Sequence, residues 1–160
     1  MPPGIGLRPA TDEDEAFLLT VYAGTREEEL ALTGWDAAAK DAFLRMQFAA
    51  QDSHYRQHFS DASFDIVTVD GVPAGRLYVD RRDAEIRIID IALLPEHRGR
   101  GIGTALITSI LAEAEKTGKT VVIHVERDNR ARRLYGRLGF VEVAEQGLHL
   151  LLERQVKIAS

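Results

Sequence analysis

The chain has 160 residues and is 45% hydrophobic, enough to bury one full core, so we expect a single domain over residues 1–160. Its formal net charge of −5 argues against nucleic acid as the main partner, and its lack of cysteine excludes disulfides, thiolate metal sites and a cysteine nucleophile. We recognise no signal peptide and no apolar run approaching the ~18 residues of a membrane span, so we expect a cytoplasmic protein without a membrane partner.

The first sixty residues predict one short strand and two helices. The strand runs from Ile5 to Arg8 and is closed by proline, and the stretch Thr11–Asp14 then carries the capping signal of a helix. The apolar stripe of this helix dissolves between residues 24 and 34. Asp36 is the expected cap of a second helix, which the pattern extends toward His58 without fixing its end.

From Phe64 onward the hydrophobic period changes to two. A tight turn at Asp70-Gly71 joins two predicted strands, Ile66–Val69 and Arg76–Val79. A third strand is expected from residue 85 to residue 94, and its alternation slips in the middle. Either a β-bulge near Ile89 and Asp90 or burial on both faces would explain the slip.

The last sixty residues alternate between helix and strand. In order, we predict a helix from Ile102 that stops at Gly118, an interior parallel strand from Thr120 to Val125, a helix capped by Asp128 or Asn129 that ends at Leu138, and two strands, Phe140–Ala144 and Leu148–Leu152.

A glycine-rich loop, residues 98–103, lies between the third strand and the helix that begins at Ile102. Glycines let the backbone approach a ligand closely, and the first turn of a helix adds unpaired amides and the positive end of its dipole. Arg98 and Arg100 add donors that can grip phosphate oxygens. The loop therefore predicts a phosphate site, with a ligand-free turn as the alternative.

Two common phosphate motifs are excluded by their spacing. A dinucleotide fingerprint would need glycine at position 104, which is Thr104. The stretch Gly118-Lys119-Thr120 resembles the end of a nucleoside-triphosphate loop, but the glycine required five residues earlier is Glu113, and the stretch leads from helix to strand.

The pattern Arg98-x-x-Gly101-x-Gly103 resembles the pyrophosphate loop of the GNAT acetyltransferase superfamily, Gln/Arg-x-x-Gly-x-Gly/Ala. The stretch 91–95 resembles the family strand that pairs with the pantetheine arm of the coenzyme. Further matches to the family signature follow downstream at Asn129, Ala131, Leu134, Tyr135 and the pair Gly139-Phe140. The resemblance implies an α/β (α+β) fold, with a mixed central sheet of about six to seven strands and about four helices on both faces.

The resemblance also implies an acetyl-CoA-dependent N-acetyltransferase that acts by direct attack on the thioester, with a primary amine of a small molecule or protein as acceptor, no metal, and a possible homodimer. A catalytically silent acyl-CoA sensor of the same fold and a nucleotide-binding regulator stay open as alternatives. The implied coenzyme-binding residues are Ile91, Ala92, Leu93, Arg98, Gly99, Arg100, Gly101, Ile102, Gly103, Thr104, Asn129, Arg132 and Tyr135.

For catalysis, the resemblance makes Tyr135 the acid that protonates the coenzyme's sulfur. It makes the backbone N–H of Leu93, freed if the strand bulges, the oxyanion donor. His124, Glu85 and Asp90 are candidate general bases, directly or through a water, and the residues do not choose among them.

Two charged runs have open roles. Arg130, Arg132 and Arg133 could reach the coenzyme's adenosine phosphates, although such runs usually form a solvated face. The acidic run 27–29 could attract a cationic amine, although it too is more often a solvated helix face.

Overall fold

In the computed structural model, which describes residues 2–127, 129 and 131–155, the chain folds around one sheet. The described residues form seven strands and four α-helices. In chain order these are β1 (Ile5–Pro9), α1 (Glu15–Ala31), α2 (Ala37–His58), β2 (Ser63–Val69), β3 (Val72–Arg81), β4 (Glu85–Leu93), α3 (Ile102–Thr117), β5 (Thr120–Glu126), α4 (Arg132–Arg137), β6 (Val141–Gln146) and β7 (His149–Arg154).

The sheet is mixed, and its strand order is β1-β2-β3-β4-β5-β7-β6. Neighbouring strands are antiparallel except β4 and β5, which are parallel. Parallel neighbours need a crossover, and α3 supplies it. This architecture confirms the predicted fold class. In the described ranges, no helix is both long and apolar enough to cross a bilayer.

Helices cover both faces of the sheet. Ile66 and Val67 are adjacent in β2 and therefore point to opposite faces. Ile66 packs in a cluster with side chains of α1 and α2, and Val67 belongs to a larger cluster with side chains of α3 and α4. The site described below lies at the middle of the sheet, between the helices of its two faces.

Helix α1 is longer than its sequence pattern predicts. It begins as expected after Thr11, whose amide donates to the Asp14 carboxylate at 2.8 Å. The apolar stripe fades from Gly24 onward, but the helix continues past this residue to Ala31. Leu30, only 5% exposed, packs in the interior and fixes this last part of the helix. Helix α2 begins as predicted, with the Asp36 side chain accepting from the amide of Ala39, and it ends at His58.

The slip in the alternation of β4 is a β-bulge. Tyr78 pairs with Asp90 and Val79 pairs with Ile88, so Ile89 has no opposite residue in β3. The extra residue returns Ile91 to the face already used by Ile88. Of the two explanations left open by the sequence, the bulge is therefore the correct one.

The fourth helix begins later than predicted. The Asn129 side chain accepts from the amide of Ala131 at 2.8 Å, two residues on, which forms a turn of its own before the helix. The helix then runs only from Arg132 to Arg137, with Ala131 at its cap position. Asp128, the other predicted cap, lies outside the described residues.

Gly75 brings β3 unusually close to β4. A β-carbon at this position would lie 2.2 Å from the Ala92 carbonyl oxygen and 3.0 Å from the Leu93 α-carbon. Both are backbone atoms, which can move only with the strand. Gly75 is therefore required by the close approach of the two strands.

We expect Gly75→Ala to lower the free energy of unfolding by about 2–3 kcal/mol, because β4 must shift to admit the methyl group. Urea denaturation measures this. The matched control is Gly136→Ala in α4, where no described heavy atom would lie within 4 Å of the new methyl group, and where the change should stabilise the helix slightly. Equal stability of the two variants would contradict the close approach.

Candidate functional site

The site is organised by the divergence of β4 and β5. Their pairing covers Glu85–Ile88 against Thr120–Ile123, and within the described residues it goes no further. Residues 90–93 of β4, which we call the open segment, therefore have a strand partner on the β3 side alone. A gap opens between the carboxyl ends of the two parallel strands, the edge at which α/β sheets usually bind ligands.

The backbone of Leu93 faces this gap. Opposed residues in an antiparallel ladder alternate between bonded and non-bonded pairs. The amide of Leu94 donates to the Ala74 carbonyl at 2.8 Å, which puts Leu93 and its opposite residue Gly75 in a non-bonded pair. The N–H of Leu93 thus points away from β3. The sequence linked its freedom to a bulge, but the bulge lies at Ile89, and the departure of β5 is what leaves this N–H without a strand partner.

The glycine loop leaves open space in front of α3. A β-carbon added at Gly99, Gly101 or Gly103 would meet no described heavy atom within 4 Å. Gly99 and Gly101 have φ values of 73° and 80°, which strongly favour glycine. Gly101 caps α3, a helix of 16 residues, so its first amides and its dipole point into that space. Ile102 is buried beneath the loop, and Thr104 is half-buried in the first turn.

Arg98 contacts the protein in a way that its motif did not predict. Its Nε donates to the Leu93 carbonyl at 3.2 Å, and its Nη2 donates to the Gly24 carbonyl in α1, also at 3.2 Å. Two of its nitrogens are thus used to link β4 with α1. Arg100, the other arginine of the loop, is exposed.

Tyr135 reaches the core from α4. It is 2% exposed, and its ring packs edge-on against Phe140 with centroids 5.8 Å apart. Burial, and secondly the charge of Asp90, raise the pKa of the Tyr135 hydroxyl to about 12. The hydroxyl therefore keeps its proton at physiological pH and lies within electrostatic range of the open segment.

Asp90 forms a buried ion pair with Arg76. Its Oδ1 accepts from Arg76 Nε at 3.2 Å, and its Oδ2 accepts from Arg76 Nη2 at 2.8 Å and from the Tyr55 hydroxyl at 3.0 Å. Arg76 is 2% exposed and also donates to Gln51 of α2 at 2.9 Å. Burial and then the Asp90 charge raise the pKa of Tyr55 far above its usual range. The Asp90 carboxylate, one of the candidate bases, thus accepts three hydrogen bonds.

Glu85 and His124 share a second arginine, Arg87. Arg87 Nε donates to Glu85 at 3.1 Å, and its Nη1 lies 3.3 Å from His124 Nδ1. Arginine can only donate, so Nδ1 must be the acceptor and the neutral ring carries its proton on Nε2. Burial, then Arg87 and then His149, lower the pKa of His124.

The predicted coenzyme-binding residues outside the glycine loop fall into two groups, one in the open segment and one exposed at the surface. Ile91 and Ala92 lie in the open segment, as expected. Asn129 and Arg132 are exposed, and their side chains contact nearby backbone: Asn129 binds Ala131, and Arg132 Nη1 donates to the Arg127 carbonyl at 2.6 Å. Arg133 is also exposed, and Arg130 lies outside the described residues. The acidic run 27–29 is exposed, with Glu29 paired to Arg26 at 2.9 Å.

Sequence reasoning missed Arg76, Arg87, Tyr55 and Gly24. An arginine within the hydrophobic strand 76–79 was the one available signal, because a buried charge needs a partner. Nothing in the sequence indicated which carboxylate would supply it.

Comparison with known proteins identifies the family. The acetyltransferase (GNAT) family matches residues 28–140, and the chain belongs to it. It is 30% identical to a mycothiol acetyltransferase of Actinosynnema mirum, over 88% of this chain and 46% of that protein. It is 39% identical to an uncharacterized N-acetyltransferase of Methanocaldococcus jannaschii, over 64% of this chain and 56% of that protein. The chain therefore spans about half the length of these curated relatives.

Solved structures agree with the fold. The PaiA N-acetyltransferase of Thermoplasma acidophilum, in complex with coenzyme A, superimposes with a TM-score of 0.71 at 18% identity, covering 94% of this chain and 98% of that one. A GNAT acetyltransferase of Elizabethkingia anophelis with acetyl-CoA bound gives a TM-score of 0.61 at 14% identity, covering 97% and 100%.

The position of Arg87 gives a test by titration. We expect Arg87→Gln to raise the pKa of His124, because the change removes a neighbouring positive charge and frees Nδ1 to accept a proton. Side-chain NMR of the histidines as a function of pH measures both the pKa and the tautomer. The control is Arg82→Gln, which removes an arginine paired with Asp80 instead. An unchanged His124 titration in Arg87→Gln would contradict the contact.

Proposed function

We propose that this chain transfers an acetyl group from acetyl-CoA to a primary amine of a small molecule or protein. The observation that carries the proposal is the open space in front of α3, which adjoins a strand edge that β5 has left. A pyrophosphate fits the loop amides, and an extended pantetheine arm fits the unpaired side of the open segment. The family of the chain and the coenzyme-bound structural neighbours support this reading.

In the proposed reaction, the amine attacks the thioester carbonyl, a C–N bond forms and the C–S bond breaks. The Leu93 N–H would stabilise the developing oxyanion. Tyr135, protonated because its pKa is about 12, would give its proton to the departing thiolate. The proton that the amine loses would pass to solvent through a water or a nearby base.

The amine must lose its proton before it can attack the thioester. A free alkylamine of pKa ~10.4 is about one part in a thousand neutral at physiological pH, a deficit of roughly 4 kcal/mol. His124, Glu85 and Asp90 stay the predicted bases, but each already contacts an arginine, and this contact helps to lower the pKa of His124. We therefore favour a water relay.

The same pairing supports the alternative function, a sensor that binds acyl-CoA without turnover. Release of coenzyme thiol with a panel of amines separates the two: turnover with any amine excludes the silent sensor. A cytoplasmic location and a homodimer belong to the proposal, and the homodimer follows from the family resemblance alone.

The loop has a matched pair of test variants. Gly103→Val should weaken acetyl-CoA binding at least 100-fold, because the branched side chain would fill the space left for the phosphates. Gly103→Ala should retain binding, since the family pattern accepts alanine there. Gly103 has no positive φ, so neither change strains the backbone. Calorimetry measures the affinities, and thermal denaturation checks the fold. Equal affinities would exclude the loop as the phosphate site.

Tyr135→Phe tests the acid. The coenzyme thiolate is a tolerable leaving group, since thiols have a pKa of about 8.5, so help from an acid should matter without being indispensable. We expect turnover to fall ~10- to 1000-fold, with acetyl-CoA affinity changed by less than ~1 kcal/mol. Wild-type turnover in this variant, or a loss explained by weaker binding, would return Tyr135 to a packing role. Because its pKa is about 12, an alkaline limb below pH 10 should persist in the variant.

A further inference from the structure

The open segment of β4 is anchored at both ends by side-chain hydrogen bonds that connect it to α2 and α1. At its start, Asp90 bonds to Arg76 and to Tyr55 of α2. At its end, the Leu93 carbonyl accepts from Arg98, which also bonds Gly24 of α1. Between these two points β3 pairs with one side of the segment, and the other side faces the gap.

These contacts have a task that the regular strands do not need. Ile88 is paired on both sides, with β3 and with β5, so the ladders fix its position. The open segment loses the β5 ladder and follows directly on the bulge, where β3 pairing is also interrupted. Its carbonyls and amides must still be held in a line if a ligand is to pair with them.

The chemistry of the anchors fits this task better than the roles predicted from sequence. Asp90 is the counterion of an arginine that is 2% exposed, so protonating it in a catalytic cycle would leave a buried charge unpaired. Two of the Arg98 nitrogens donate to backbone carbonyls. A small residue at position 24 admits this contact, since a β-carbon there would lie at the ordinary distances of 3.4 Å from Pro95 Cδ and 3.5 Å from Arg98 Nη2, whereas a larger side chain would reach the guanidinium.

We propose that Asp90 and Arg98 are positioning residues that fix the open segment for pairing with the pantetheine arm, and that they serve neither as general base nor as phosphate ligand. The inference rests on the proposed function, in which this edge receives the coenzyme. It predicts that the anchors matter for the pantetheine half of the coenzyme and not for its nucleotide half.

The experiment compares two probes by calorimetry: coenzyme A, and adenosine 3′-phosphate 5′-diphosphate, which keeps the phosphates and lacks pantetheine. Arg98→Gln should weaken coenzyme A about tenfold, the order expected for lost charged hydrogen bonds, and leave the fragment unchanged. If Arg98 were a phosphate ligand, Arg98→Gln would instead weaken the binding of both probes equally. That result would overturn the positioning role of Arg98. If the wild-type protein binds neither probe, the proposed function fails instead.

Gly24 supplies a second, matched pair. Gly24→Ala adds a methyl group at ordinary contact distance and should keep the affinity for coenzyme A. Gly24→Val adds γ-carbons that displace the Arg98 guanidinium and should reproduce the selective loss seen in Arg98→Gln. Full affinity in Gly24→Val would contradict the anchor.

For Asp90 the decisive variant is Tyr55→Phe, because Asp90→Asn leaves the Arg76 charge without its counterion and can prevent folding. Tyr55→Phe should weaken coenzyme A about three- to tenfold without affecting the fragment. The acidic limb of the kcat profile should stay in place. If Asp90 were the base, losing a hydrogen bond to its charged form would raise its pKa and move that limb to higher pH, and such a shift would overturn the proposal.

Discussion

The parting of β4 and β5 after the pair Ile88–Ile123 is the constraint on which the rest of the site depends. A buried strand edge must satisfy its N–H and C=O groups with some partner. Where β5 departs, that partner has to be a ligand, water or a side chain. The same departure makes room below α3, so the unpaired edge and the amides of the helix N-terminus face a common space.

Three ionisable side chains around this gap contact arginines. Arg76 is paired with Asp90, and Arg87 is shared by Glu85 and His124. The contact with Arg87 helps to lower the pKa of His124. Tyr135 differs, because burial holds its proton in place. The gap is thus bordered by a protonated tyrosine and by side chains that already contact arginines.

Glycines fulfil distinct physical tasks along this chain. Gly99 and Gly101 adopt positive φ values in the loop, while Gly75 and Gly24 admit close neighbours. The first kind shapes the open space in front of α3, and the second brings β3 and α1 against the elements that border it.

The sequence by itself determined the features that depend on neighbours along the chain. Asp36 caps α2, Gly118 ends α3, Asp70-Gly71 turns the hairpin, and the glycine loop leads into α3, all because their hydrogen bonds and φ values are local. Tertiary structure alone decided that α1 continues past Gly24, that Ile89 forms the bulge and that β7 lies between β5 and β6. It also decided that Arg76 and Arg87 pair with carboxylates, whereas Arg98 bonds to backbone carbonyls. These outcomes depend on contacts between segments far apart in sequence, and no local pattern encodes which of several possible partners the packed chain brings within hydrogen-bonding distance.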